Sequence, residues 1–195
     1  MTRRHPVPCL WLLTDERMGA DVLSAVAHLP RGAGVVVRHY SLERDDRRAL
    51  FDSVRAVGRR RGLVVVVAGS RTLARRWRAD GRYGVADGRK RDPGFIELAT
   101  AHNAVEAKRA ARTSDAVLLS PVFPTRSHPG ARPLGRARFG RIAQDFAVPA
   151  LALGGVTPRN AGSVPFADGW AGIDAFGSKA PRSRSRKRDP GSRPG

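Results

Sequence analysis

Cysteine is almost absent from this 195-residue chain, which has Cys9 alone. A single thiol excludes a disulfide framework and a cysteine-based zinc site, and it suits a reducing compartment. Long apolar runs are missing too. None approaches the roughly 18 residues of a membrane span. The apolar stretch Cys9–Leu13, closed by Asp15 and Glu16, is shorter than the core of about 7–15 residues in a secretory signal. These absences predict a cytoplasmic protein with no membrane partner. Acidic residues are scarce, with Asp plus Glu at 17 against Lys plus Arg at 36, a formal net charge of +19. Aromatic residues make up only 6%. They are not interleaved with the basic blocks, so the stacking platforms of single-strand nucleic-acid binders are lacking.

Apolar residues are nevertheless 41%, enough for one core in a chain of single-domain length. The charge is unevenly placed. From Gly177 to Gly195 seven cations face one anion, a net +6, in a stretch rich in Pro, Ser and Gly. This composition predicts a disordered basic tail over 178–195, a folded domain over 9–177 and an N-terminal extension over 1–8. Blocks such as Arg59-Arg60-Arg61 and Arg75-Arg76 read as a solvated basic face. The tail is equally compatible with solubility and with attraction to nucleic acid.

Short β-branched runs alternate with amphipathic stretches. Strands are predicted at Cys9–Thr14, Gly34–Arg38, Leu63–Ala68, Arg82–Ala86, Phe95–Thr100, Ala116–Ser120, Ala150–Leu153 and Trp170–Ile173. Helices are predicted at Asp21–Leu29, Asp45–Val57, Arg71–Ala79, Asn103–Arg112 and Arg138–Asp145, with a short one at Thr157–Ser163 opened by Thr-Pro. Asn103 with Glu106 forms a capping pair. Eight parallel strands in this rhythm predict an α/β fold, a compact (β/α)8 TIM barrel. An open doubly wound sheet is the alternative, though no GxGxxG follows the first strand. In a barrel the chemistry gathers where strands end.

Two strand ends carry phosphate chemistry. Leu118-Leu-Ser-Pro-Val-Phe-Pro-Thr125 opens into a loop that continues with Arg126, Ser127 and His128. Hydroxyls donate to phosphate oxygens and guanidinium groups bind them bidentately. The bland reading is a proline-shaped surface loop. Val148-Pro-Ala-Leu-Ala-Leu-Gly154-Gly155 ends in paired glycines before Thr157-Pro158. Glycines let an anion approach the backbone, and a helix start would offer free N–H groups. The bland reading there is a tight turn.

With Leu12-Leu-Thr-Asp15, Arg38, Ala79-Asp-Gly81, Thr100-Ala-His-Asn103 and Ala167-Asp-Gly169, these segments resemble, in order over Cys9–Phe176, the thiamine phosphate synthase and thiazole tautomerase superfamily. The resemblance implies a compact (β/α)8 barrel. It also implies a reaction joining hydroxymethylpyrimidine diphosphate to thiazole phosphate with release of pyrophosphate, assisted by Mg2+. On this basis Arg38, Thr100 and His128 take catalytic positions. Thr125, Ser127, Gly154 and Gly155 take the substrate-phosphate positions, and Asp87 is the nearest acid to the metal position. The chain departs from the pattern elsewhere. Arg38 is what remains of Gln-x-Arg-x-Lys, Gly69-Ser70 matches an Asn-Asp pair, and His128 replaces a Lys. Asp174 stands where a Ser helps hold phosphate, and Pro121 replaces the tautomerase His, leaving His128 or His102 to substitute.

Three functions follow. The first is a thiamine phosphate synthase-like transferase, impaired to the extent that metal and diphosphate residues are missing. The second is a non-catalytic barrel that binds a phosphorylated thiazole-type ligand. The third is a polyanion-binding protein using its basic surface and tail. A small phosphorylated molecule is the expected partner in the first two.

Overall fold

The structure is a computed structural model and describes residues 7–88, 92–125, 130 and 132–173. Eight strands form a closed, wholly parallel barrel: β1 (Leu10–Leu13), β2 (Gly34–Val37), β3 (Val64–Ala68), β4 (Gly81–Gly84), β5 (Ile96–Ala101), β6 (Ala116–Leu119), β7 (Ala150–Ala152) and β8 (Gly169–Gly172). β1 pairs with both β2 and β8, with Trp11 opposite Gly34 on one side and Ala171 on the other. The α/β barrel predicted from the sequence is the fold observed. The predicted extension lies mostly, and the basic tail wholly, outside the described residues.

Strand alternation sorts the side chains into layers. Trp11, Leu13, Val36, Val66, Leu98 and Leu118 belong to one cluster drawn from strands around the ring, which fills the barrel interior. Their neighbours Leu12, Val35, Val37, Val65 and Val67 pack outward against α1 (Val22–Ala27), α2 (Arg44–Arg61) and α3 (Arg71–Arg76). Ala99, Val117, Leu119 and Ala152 do the same against α4 (Ala104–Thr113) and α5 (Gly135–Ala143). Trp11 is fully buried and its indole N–H donates to the Pro8 carbonyl at 2.6 Å. A Cβ at position 34 would run into that indole ring, so glycine is what admits Trp11 to the interior.

The helices differ from expectation mainly at their ends, with α3 stopping at Arg76 and α5 starting earlier, at Gly135. α2 runs further at both ends, and Gly62, in the left-handed region, stops it. The helix expected at Thr157–Ser163 is reduced to a 3-10 turn at Ala161–Ser163. Asn160 braces this turn: its side chain accepts from the Thr157 N–H at 2.7 Å and donates to the Gly155 carbonyl at 3.0 Å.

Among the described residues no helix follows β4. Its outer face is covered by charge instead. Arg82 and Glu97 are register partners on β4 and β5, 6% and 3% exposed, and are joined Nε to Oε2 at 2.6 Å. Arg71 lies 2.5 Å from the other carboxylate oxygen as an ion pair without hydrogen-bond alignment. Asp87 holds the far side of Arg82 at 3.1 Å. Truncating Glu97 removes the buried counter-ion that Arg82 and Arg71 share, so Glu97→Ala should lower stability by about 3–5 kcal/mol in urea unfolding. Asp52→Ala, which breaks the exposed i,i+4 pair with Arg48, should change it by only about 0.3–0.5 kcal/mol.

Candidate functional site

The carboxyl ends of the strands enclose a cavity of about 490 Å3. Arg38, at the end of β2, lines it. Thr14 anchors the Arg38 backbone, accepting from its N–H at 3.1 Å, and the guanidinium lies 3.8 Å from Asp15. Burial works against ionisation of Asp15. The Arg17 N–H groups that hydrogen-bond it, and the charges of Arg17 and Arg38, outweigh this and hold its carboxyl below the usual range. Tyr40 stands exposed at the rim, flanked by Arg38 and Arg47 with guanidinium carbons 5.8 and 5.4 Å from its ring. Arg47 reaches across from α2 to donate to the Ala68 carbonyl at 2.6 Å, tying the end of β3 to the rim.

Tyr83 and Thr100, from β4 and β5, share a hydrogen bond, and both line the cavity. Burial raises the Tyr83 phenol above its ordinary 10.0, which keeps it a neutral donor. His102 also lines the cavity, with its Nδ1 2.9 Å from the Ser120 carbonyl. Because a carbonyl only accepts, this contact assigns the proton to Nδ1.

The far wall is Gly154-Gly155-Val156. Both glycines have positive φ, +87° and +64°. A Cβ on Gly155 would sit 2.5 Å from the Pro124 carbonyl oxygen, and one on Gly154 would sit 2.7 Å from Pro121 Cα. These close approaches lace the β7 turn to the loop after β6, as does the Phe123 N–H donating to the Gly154 carbonyl at 3.0 Å. Among the described residues, the N–H groups of Gly154, Gly155 and Val156 have no protein acceptor. Successive amides in this conformation form an anion-binding concavity. Thr125 lines the same space.

A family model described as thiamine monophosphate synthase matches residues 10–176. The chain belongs to that family. A protein of Aquifex aeolicus carrying the provisional name thiamine-phosphate synthase 2 is 28% identical over 161 residues, 77% of this chain and 87% of the relative. The thiamine biosynthesis bifunctional protein ThiED of Geobacter sulfurreducens is 32% identical over 165 residues, 80% of this chain but only 33% of that longer protein. Among solved structures, a thiamine phosphate pyrophosphorylase from Pyrococcus furiosus superposes with a TM-score of 0.72 at 23% identity, with 88% of each chain covered.

Against the thiamine monophosphate synthase pattern, the structure gathers five of the expected residues, Arg38, Thr100, Thr125, Gly154 and Gly155, in one cavity. Ser127, His128 and Asp174 lie outside the described residues. The free N–H groups at Gly154-Gly155 belong to a turn rather than to the expected helix start. Tyr83 went unnoticed as a cavity residue. Its signal was the inward alternation of Gly81-Arg82-Tyr83-Gly84, which points Tyr83 to the interior and Arg82 outward.

The family's Mg2+ is a hard ion that needs several oxygen ligands. Among the described residues no three His, Cys, Asp or Glu side chains are grouped to hold a metal. Asp87 is turned to Arg82 and does not line the cavity. Asp15 is held by Arg17 at 2.6 Å. The described residues therefore do not fit a magnesium site. Among the described residues no helix is long and apolar enough to cross a membrane.

Two outcomes follow. Phosphate-ligand affinity at the mouth, measured by calorimetry, should change by less than about twofold between EDTA and millimolar Mg2+. A tenfold gain with Mg2+ would contradict the ion pairing described. The second concerns His39, buried behind the rim with Nδ1 2.9 Å from Thr14 Oγ1. Burial pushes its imidazole below the ordinary 6.5, against the pull of Glu16 and Asp15. As pH drops below about 6.5 the unfolded chain takes up a proton that the folded chain refuses, so stability is full above that pH and declines towards pH 5. His39→Gln should flatten this part of a pH series of unfolding midpoints.

Proposed function

We propose that the mouth binds a phosphorylated thiazole-type molecule, as a thiamine phosphate synthase binds its acceptor substrate. The single observation that carries this reading is the run of unpaired amides at Gly154, Gly155 and Val156 on the wall of an otherwise largely apolar cavity. Amides supply the phosphate site and Thr125 adds a hydroxyl. Leu153, Ala171 and Ile173 provide apolar surface for a ring, and Tyr83 supplies a neutral phenol beside it. Arg38, fixed by Thr14 and Asp15, supplies positive charge.

Arg38 also favours a second reading, the coupling reaction itself. There the thiazole nitrogen would attack the methylene carbon of a pyrimidine diphosphate, the C–O bond would break, and pyrophosphate would leave with the bonding electrons. The chain's part would be to align the two rings and to set Arg38 against the developing negative charge. The acids around the mouth, already committed to arginines, give this second reading less support than the first.

Calorimetry with thiazole phosphate tests both readings, and rescue of a thiamine auxotroph separates them. Saturable binding is expected. Gly155→Asp should abolish it, through the crowding at Pro124 and an added negative charge, and Arg38→Gln should weaken it by about tenfold. Absence of heat with the wild-type chain well above micromolar concentration would overturn both readings. Binding without rescue of a thiamine auxotroph, despite soluble expression, would leave the first and remove the second.

A further inference from the structure

On the outside of the barrel a groove of about 1410 Å3 separates α4 from α5, nearly three times the size of the mouth. α4 presents Ala104, Lys108, Ala111 and Arg112 to it, spaced along one helical face. α5 presents Arg138, Arg141 and Ile142 from the other side. α1 closes on α2, whereas α4 and α5 stand apart. The alanines of α4 are too short to bridge the gap.

The floor and rim of this groove differ in chemistry. Ala111, Leu134, Ile142, Phe146 and Pro165 supply an apolar floor. Lys108, Arg112, Arg136, Arg138 and Arg141 surround it and are all exposed. Asp145 is the one acid in the lining. Among the described residues none of the five cations is paired with a carboxylate. Five like charges around an apolar strip repel one another until an anionic partner arrives. A second copy brings the same +19, and residues 178–195 are themselves basic. Nucleic acid would match the cations but has no row of aliphatic side chains for the floor.

We propose that the groove docks an acidic amphipathic helix of another protein. Apolar residues at i, i+3, i+4 and i+7 would lie along the floor, and Glu or Asp on the flanks would meet the five cations. The barrel mouth takes no part.

The test uses the full chain and a synthetic helical peptide of about 18 residues, with leucines at that spacing and glutamates on the flanks. Fluorescence anisotropy should show saturable binding. A scrambled peptide of the same composition should bind at least about tenfold more weakly, because it keeps the charge but loses the stripe. Ile142→Lys, which places charge in the floor, and Arg141→Glu, which reverses charge on the exposed rim, should each weaken binding about tenfold. Circular dichroism and mouth binding of thiazole phosphate should be unchanged in Arg141→Glu, so failure of the mouth reading would be seen separately. Three results would overturn the proposal. They are equal binding of the scrambled peptide, displacement of the peptide by single-stranded RNA at matched charge concentration, and a concentration-dependent dimer in sedimentation that the peptide dissolves.

Discussion

The pairing of β1 with β8 turns eight strands of three to six residues into a ring, and the remaining structure hangs on that closure. Strands this short have few ladder bonds each, so an open sheet of them would leave two exposed edges and an unfilled face. Closed, they share one interior in which Trp11, Leu13, Leu98 and Leu118 interdigitate, and every strand end is delivered to the same rim. The cavity is a product of this geometry. Arg38, Thr100, Thr125 and the two glycines come from four different strand ends and meet only because the ring is complete.

Around that rim the electrostatics are settled by pairing. Asp15 is taken by Arg17 and Arg38, Glu16 by the Ser41 N–H and hydroxyl, and Asp87 by Arg82. With its carboxylates engaged internally, the mouth offers an anion hydrogen-bond donors and a guanidinium. These pairings underlie the proposal that the mouth takes a phosphate rather than a hard cation.

Much of the fold was legible in the sequence because its signals were local. Unbroken runs such as Val64–Ala68 read as buried strands, and Asn103 with Glu106 marks the start of α4; the Glu106 N–H donates to Asn103 Oδ1 at 3.0 Å and the Glu106 carboxylate accepts from the His102 N–H at 2.8 Å. The glycine wall of the cavity was legible for the same reason, since paired glycines at a strand end constrain the backbone directly. What escaped was set by which groups pair once the chain is folded. The segment expected as a helix at Thr157–Ser163 is a turn braced by the Asn160 side chain. Whether Asp87 would face the cavity depended on Arg82, and Tyr83 joined the site through a partner seventeen residues away. Composition pointed to a polyanion, but the charge itself says nothing of where cations meet apolar surface, and that depended on how far apart α4 and α5 stand.

The charged seam over β4 and β5 has a consequence for how this protein can vary. An apolar seam drifts one methyl group at a time, with small losses at each step. A buried guanidinium and carboxylate do not allow this. Replacing either alone leaves a charge without its counter-ion in a dry place, while replacing both together can be nearly neutral. Arg82 and Glu97 should therefore be inherited as a unit, kept or exchanged together. That coupling would hold Asp87 facing the seam in every descendant that keeps the pair.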